Sequence, residues 1–186
     1  SGPNRLWLND GRGRFKEAAA AAGVAGRGGS VVVAWADYDR DGDLDGYLVT
    51  GRPESAEGLG AGDAAKVEAL GRQAIRDEKT GRLTFPRELL EDWDFVTQPG
   101  GKPFLIKAGR SDRLWRNDGV NDAGVPVFTD VTDSAGVWDN GRGNAAVWWD
   151  FDSDGWPDIY VANDFFGPDR LWHNNRDGTL TDAPAE

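Results

Sequence analysis

The stretch Asp37-Tyr38-Asp39-Arg40-Asp41-Gly42-Asp43-Leu44-Asp45 returns as Asp150-Phe151-Asp152-Ser153-Asp154-Gly155-Trp156-Pro157-Asp158, so one DxDxDGxxD pattern is written twice in 186 residues. Carboxylates that alternate over five residues and are rejoined four later can converge on one point. Without a cation they repel, since two unit charges about 4 Å apart interact by roughly 4 kcal/mol at an effective dielectric near 20. A ligand set made only of oxygen favours calcium over zinc or copper.

The differences between the copies assign roles. Position seven is Asp43 in one and Trp156 in the other, so its side chain is no obligatory ligand and a backbone carbonyl is the simpler contribution there. Aspartate persists at positions one, three, five and nine. Gly42 and Gly155 fall where the chain must turn sharply, and glycine reaches positive φ without steric cost. An EF-hand loop opens in the same way but requires a bidentate Glu at position twelve, where this chain has Leu48 and Val161. The flanks Ser30 to Ala36 and Asn144 to Trp149 read as buried strands rather than helices.

Acidic residues outnumber basic ones 32 to 21, a formal charge of −11, which argues against nucleic acid as a partner. Nine Trp and an ordinary apolar share supply material for a core. Cysteine is absent, which excludes a disulfide framework and thiolate metal sites. No apolar run approaches the roughly 20 residues of a membrane-spanning helix, so no membrane insertion is expected. The first residues lack the basic and apolar regions of a signal peptide, so an extracellular, periplasmic or cell-surface location requires a signal outside this chain.

A second signature keeps step with the Asp loops: Asn4-Arg5-Leu6-Trp7-Leu8-Asn9-Asp10-Gly11, Asp112-Arg113-Leu114-Trp115-Arg116-Asn117-Asp118-Gly119 and Asp169-Arg170-Leu171-Trp172-His173-Asn174-Asn175. Each is a short strand entering an Asn/Asp/Gly turn, and each turn is followed by another short strand, at Arg14 to Glu17, Val127 to Val131 and Thr179 to Asp182. From Arg113 to Arg170 the period is about 57 residues, within reach of propeller blades and solenoid repeats. The order strand, Asp loop, strand, connection, RLW strand, turn, strand makes four antiparallel strands per unit, as in a β-propeller blade.

The Asp loops, the RLW hairpins and the stretch Val161 to Trp172 resemble FG-GAP/VCBS repeats, especially those of the cartilage-acidic-protein and ASPIC/UnbV group. The resemblance covers most of the chain except residues 51–110. It implies a mainly β, integrin-α-like propeller with calcium in the loop joining the first two strands of a blade. By position, one Ca2+ would take side-chain ligands from Asp37, Asp39, Asp41 and Asp45 with the carbonyl of Asp43. The other would take Asp150, Asp152, Asp154 and Asp158 with the carbonyl of Trp156. The strands amount to a half blade (1–25), a blade (26–50 with 111–135) and a further blade (136–186), too few to close a ring of four to eight. An incomplete propeller is therefore expected, completed by further blades of a longer protein or by other copies of the chain.

Residues 51–110 are an insertion between the second and third strands of their blade, roughly 50 residues beyond the repeat period. Asp63 to Leu70, continuing toward Asp77, reads as a helix with Asp63 as N-cap, and Pro86 to Trp93 as a second short helix. Consecutive connections of an antiparallel blade alternate between its ends, so the insertion should emerge opposite the calcium loop. By resemblance, an integrin-type propeller uses that far face for ligands. Glu88, Glu91, Asp92, Trp93 and Phe95 are the candidate contacts for a protein or glycan partner.

Catalytic constellations are poorly served. The one histidine, His173, stands where the other copies have Leu8 and Arg116, so a role in its hairpin is expected over catalysis. The clustered Asp residues are better explained as metal ligands than as glycosidase carboxylates, because calcium would hold a general acid ionised. Gly11-Arg12-Gly13 lacks the third glycine and helix of a dinucleotide fingerprint. Gly26-Arg27-Gly28 and Gly141-Arg142-Gly143 recur before an Asp-loop strand as repeat-encoded connections. The resulting expectation is a non-enzymatic, calcium-binding interaction or adhesion scaffold. Its alternative is a calcium-stabilised accessory or catalytic part of a polysaccharide-active enzyme.

Overall fold

A strand that runs into Asn, Asp and Gly can reverse within a few residues, and the first RLW run does so. In the structure, a computed structural model describing residues 2–26, 29–51, 64–76, 78, 83–90, 93–96, 104–107, 110–164 and 168–183, β1 (Trp7–Asn9) pairs antiparallel with β2 (Phe15–Glu17). The next strand, β3 (Ser30–Ala36), passes through the first Asp loop into β4 (Asp45–Thr50), with Ala36 opposite Asp45.

The chain leaves the sheet at Thr50 and builds a small unit from α1 (Ala64–Gly71), β5 (Ile75–Arg76), β6 (Leu83–Thr84), α2 (Arg87–Leu90), β7 (Trp93–Val96) and β8 (Phe104–Lys107). Leu70, Phe85 and Trp93 form its own core. The first helix ends at Gly71 rather than running on toward Asp77, because Gly71 is a weak helix former and the following residues pair in strand β5. Asp63, the expected N-cap, lies outside the described residues.

The chain returns as β9 (Arg113–Val120), β10 (Pro126–Asp130) and α3 (Thr132–Ala135), then repeats the pattern as β11 (Gly143–Trp149), β12 (Asp158–Asn163), β13 (Arg170–Asn174) and β14 (Leu180–Asp182). Two antiparallel four-stranded sheets result, ordered β10-β9-β4-β3 and β11-β12-β13-β14. Their registers correspond: Tyr47 faces Leu114 and Gly46 faces Trp115, as Tyr160 faces Leu171 and Ile159 faces Trp172. The fold is mainly β, with no closed sheet among the described residues, as expected of an incomplete FG-GAP-type propeller.

The layers stack face to face. One core lies between the two sheets, where Tyr47, Val49 and Leu114 meet Ile159, Val161 and Trp172, with Trp148 against it. The other lies between the β1–β2 hairpin and the first sheet, joining Ala18, Ala22 and Val24 to Leu48, Trp115 and Phe128. Close approach between the sheets depends on Gly143, where a Cβ would stand 2.3 Å from Val49 Cγ1.

The strands before the Asp loops are not the buried ones. Val31 and Trp35 of β3, like Val147 and Trp149 of β11, are about half exposed, whereas all six residues of β4 are buried. The reason is position: β3 and β11 stand at the ends of their sheets' strand order, while β4 and β12 pair on both sides. Apolar content alone does not distinguish an edge strand from a central one.

Candidate metal centres

Both Asp loops have the same backbone. Position four takes the left-handed region with a non-glycine residue, Arg40 at φ 61° and Ser153 at φ 62°, and position six takes it with glycine, Gly42 at 101° and Gly155 at 88°. Non-glycine residues seldom adopt this conformation, so its repetition marks a loop held to a set shape. The holding bonds are also shared. Gly42 N–H donates to Asp37 at 3.1 Å and Gly155 N–H to Asp150 at 2.9 Å; Asp43 N–H donates to Asp41 at 2.9 Å and Trp156 N–H to Asp154 at 2.8 Å.

These bonds turn the carboxylates inward. Oxygens of Asp37, Asp39 and Asp41 lie within 4.8 Å of one another, and so do oxygens of Asp150, Asp152 and Asp158. Burial raises the Asp39 carboxyl above its ordinary range, and the neighbouring charge of Asp41 raises it further. The Oδ1 of Asp37 is buried with no hydrogen-bond partner. An orphaned anionic oxygen beside two further carboxylates fits a hard divalent cation, and the oxygen-only donor set fits calcium.

Position nine has a second occupation. Asp45 and Asp158 are buried, and each accepts two backbone N–H bonds: Asp45 from Tyr38 at 3.0 Å and Asn117 at 2.8 Å, Asp158 from Phe151 at 3.1 Å and Asn174 at 2.7 Å. Burial pushes Asp45 up to about 7 and also raises Asp158, against the lowering effect of those N–H bonds. Both residues therefore close the loop onto the RLW strand; Asp158 also keeps an oxygen in the second cluster, whereas Asp45 stands outside the Asp37, Asp39 and Asp41 group.

The residue that composition and spacing passed over is the asparagine of the RLWxN run. The Asn117 amide donates to the Leu44 carbonyl at 3.3 Å and its oxygen accepts from Gly119 N–H at 3.1 Å; Asn174 does the same with Pro157 at 3.0 Å and Arg176 at 2.9 Å. Asn9 keeps the turn bond, accepting from Gly11 N–H at 3.0 Å. The recurrence of Asn at one repeat position was the available signal.

The two centres differ in their cations. At the second, His173 Nε2 is 3.0 Å from Asp152 and the Arg176 guanidinium is 2.6 Å from Asp154. The bond from Trp156 N–H, then Arg176, holds Asp154 below the ordinary range. At the first, Arg116, which occupies the place of His173, turns to Asp118 at 2.8 Å.

Of the candidate partner contacts, Glu88 is exposed on α2, Trp93 is buried in the insertion's core, Phe95 lies opposite Leu105 in the β7–β8 pair, and Glu91 and Asp92 fall outside the described residues. Arg142, in the repeated Gly-Arg-Gly connection, is buried, with φ 60°. The far end also holds a repeated staple: Asp112 accepts from Thr50 N–H at 2.7 Å and from Tyr47 at 3.2 Å, and Asp169 accepts from Asn163 N–H at 2.9 Å and from Tyr160.

Comparison with known proteins follows the same lines. A family model described as FG-GAP-like repeat matches residues 1–48 and 150–186. Cartilage acidic protein 1 of Mus musculus is 28% identical and that of Homo sapiens 29% identical, each over 174 residues. The alignments take in 88% of this chain but 25% of the relative, so the chain spans about a quarter of the length of the curated relatives it matches.

Proposed function

Since the chain carries FG-GAP-like repeats, we propose that it is a calcium-binding β-propeller segment that acts without catalysis as an interaction scaffold outside the cell. The observation that carries the reading is the repeated loop: the same left-handed positions, the same N–H bonds and an inward cluster of carboxylates in both copies. Each loop takes one Ca2+, with Asp37, Asp39, Asp41 and Asp45 around the first, and Asp150, Asp152, Asp154 and Asp158 around the second. Asp43 and Trp156 add backbone carbonyls. Calcium supplies the positive charge that lets these carboxylates stay ionised side by side.

Two surfaces serve for partners. Trp7 is 51% exposed, whereas Trp115 and Trp172, at the same repeat position, are 7% and 5% exposed. An apolar cleft of about 230 Å³ between the hairpin and the first sheet, lined by Leu6, Val31, Val33, Trp35 and Trp115, takes further strands of the same repeat, from a longer polypeptide or another copy. The second surface is the end opposite the metal loops. There Arg87 of α2 pairs with Asp133 and lies 5.3 Å over the Trp138 ring, while Asn140 donates to the Leu90 carbonyl at 3.1 Å. This anchored insertion, with Glu88 exposed, is offered to a protein or glycan.

Thermal melting with and without chelator tests the reading. A ligand that binds only the folded state adds about 2.7 kcal/mol at a hundredfold excess over Kd, so chelation should lower Tm by about 5–10 °C. An unchanged melting curve would contradict calcium dependence.

A further inference from the structure

Three side chains, Asn174, Trp148 and Arg40, tie the two Asp loops together across the sheet interface. The Asn174 side chain, 1% exposed, donates to the Tyr38 carbonyl of the first loop at 2.8 Å and to the Pro157 carbonyl of the second at 3.0 Å. Its backbone N–H holds Asp158 at 2.7 Å. Trp148, just ahead of the second loop, donates to the Ala34 carbonyl of β3 at 3.2 Å and stacks on Tyr38 with ring centres 6.2 Å apart. At the surface, the Arg40 guanidinium of the first loop lies 5.3 Å over the Trp156 ring of the second.

Tyr38 sits between Asp37 and Asp39, and Pro157 precedes Asp158, so the amide of Asn174 touches the backbone of both ligand sets. An ion that orders the second loop fixes Pro157 and Asp158, and with them the amide that positions Tyr38. The first loop then has less freedom left to lose when its own ion binds. Building on the calcium reading above, we infer that the two loops form one coupled unit, in which an ion at either raises the affinity of the other, with Asn174 as the positioning residue between them.

The repeat supplies its own control. Asn117 holds Asp45 and the Leu44 carbonyl just as Asn174 holds Asp158 and Pro157, but the bonds of Asn117 stay within its own sheet. Asn117→Ala should weaken one site without altering the coupling, whereas Asn174→Ala should cut the coupling.

The experiment is calorimetric titration of the full chain with calcium. Asp152→Ala should lose one ion and bind the remaining one about 5-fold or more weakly than wild type binds it. Asp39→Ala should weaken the other ion by the same factor, because linkage is reciprocal. In the Asn174→Ala background both factors should fall toward one, with only the Trp148 and Arg40 contacts left to carry coupling. Should that buried change prevent folding, Arg40→Ala, at an exposed contact, should reduce the factor without threatening the core. Remaining affinities that match wild type in both Asp variants would overturn the coupling while leaving calcium binding intact. Absence of calcium binding in the wild-type chain would overturn the calcium reading and the coupling with it.

Discussion

Asn117 and Asn174 show how much one side chain can settle. Each needs a donor for the loop carbonyl and an acceptor for the turn N–H, and only an amide offers both at this length. The Asp residues of the loops are legible in sequence because their spacing implies convergence; the Asn is not, because the carbonyl it holds, Leu44 or Pro157, belongs to a loop distant in the chain. Asp112 is hidden for the same reason. Burial, with the Asp139 charge adding to it, pushes Asp112 up to about 7, against the bonds from Thr50 and Tyr47. An unfolded Asp titrates near ~3.9, so the folded state keeps this proton to higher pH. Its contribution is whole below about pH 4 and is lost as pH rises through about 7, on the order of 4 kcal/mol. Asp112→Asn should remove that slope: denaturant unfolding across pH 4 to 8 should show wild type losing stability relative to the variant. Parallel curves would mean that Asp112 is ionised throughout.

At the scale of elements, the hairpins and the order of strands follow from turn residues and the repeat, since those signals are local. The depth of each strand does not. β3 is as apolar as a central strand, but stands at the end of its sheet with Val31 and Trp35 open to solvent. Trp93 reads as a contact residue because it is a large aromatic among acids, yet it fills the insertion's core with Leu70 and Phe85. Among the described residues, the insertion meets the body through Arg87, the Leu90 carbonyl and, where the chain returns, the Arg110 carbonyl, and its described core is its own. Replacing residues 54–100 by a short glycine linker should therefore spare calcium binding and the two-sheet fold. The exposed ion pair it removes is worth about 0–1 kcal/mol. Calorimetry and circular dichroism check this; a shortened chain that aggregates and loses its metal would show that the insertion caps a blade and recognises nothing.

Among the described residues, the hairpin and the two four-stranded sheets make a stack of three β layers with open flanks, beside the two small sheets of the insertion. Val147 and Trp149 of the last sheet, and Trp7 and Phe15 of the hairpin, are each at least half exposed. Apolar faces and free edges of this kind favour association. Light scattering of the purified chain should find it self-associated or bound to another polypeptide; a compact, monodisperse monomer would contradict this. Calcium binding depends on the two repeated loops alone. Titration of calcium into the chelator-treated wild-type chain measures it most directly: two ions bound per chain is the expected result, and a chain that binds none would contradict the assignment of both loops.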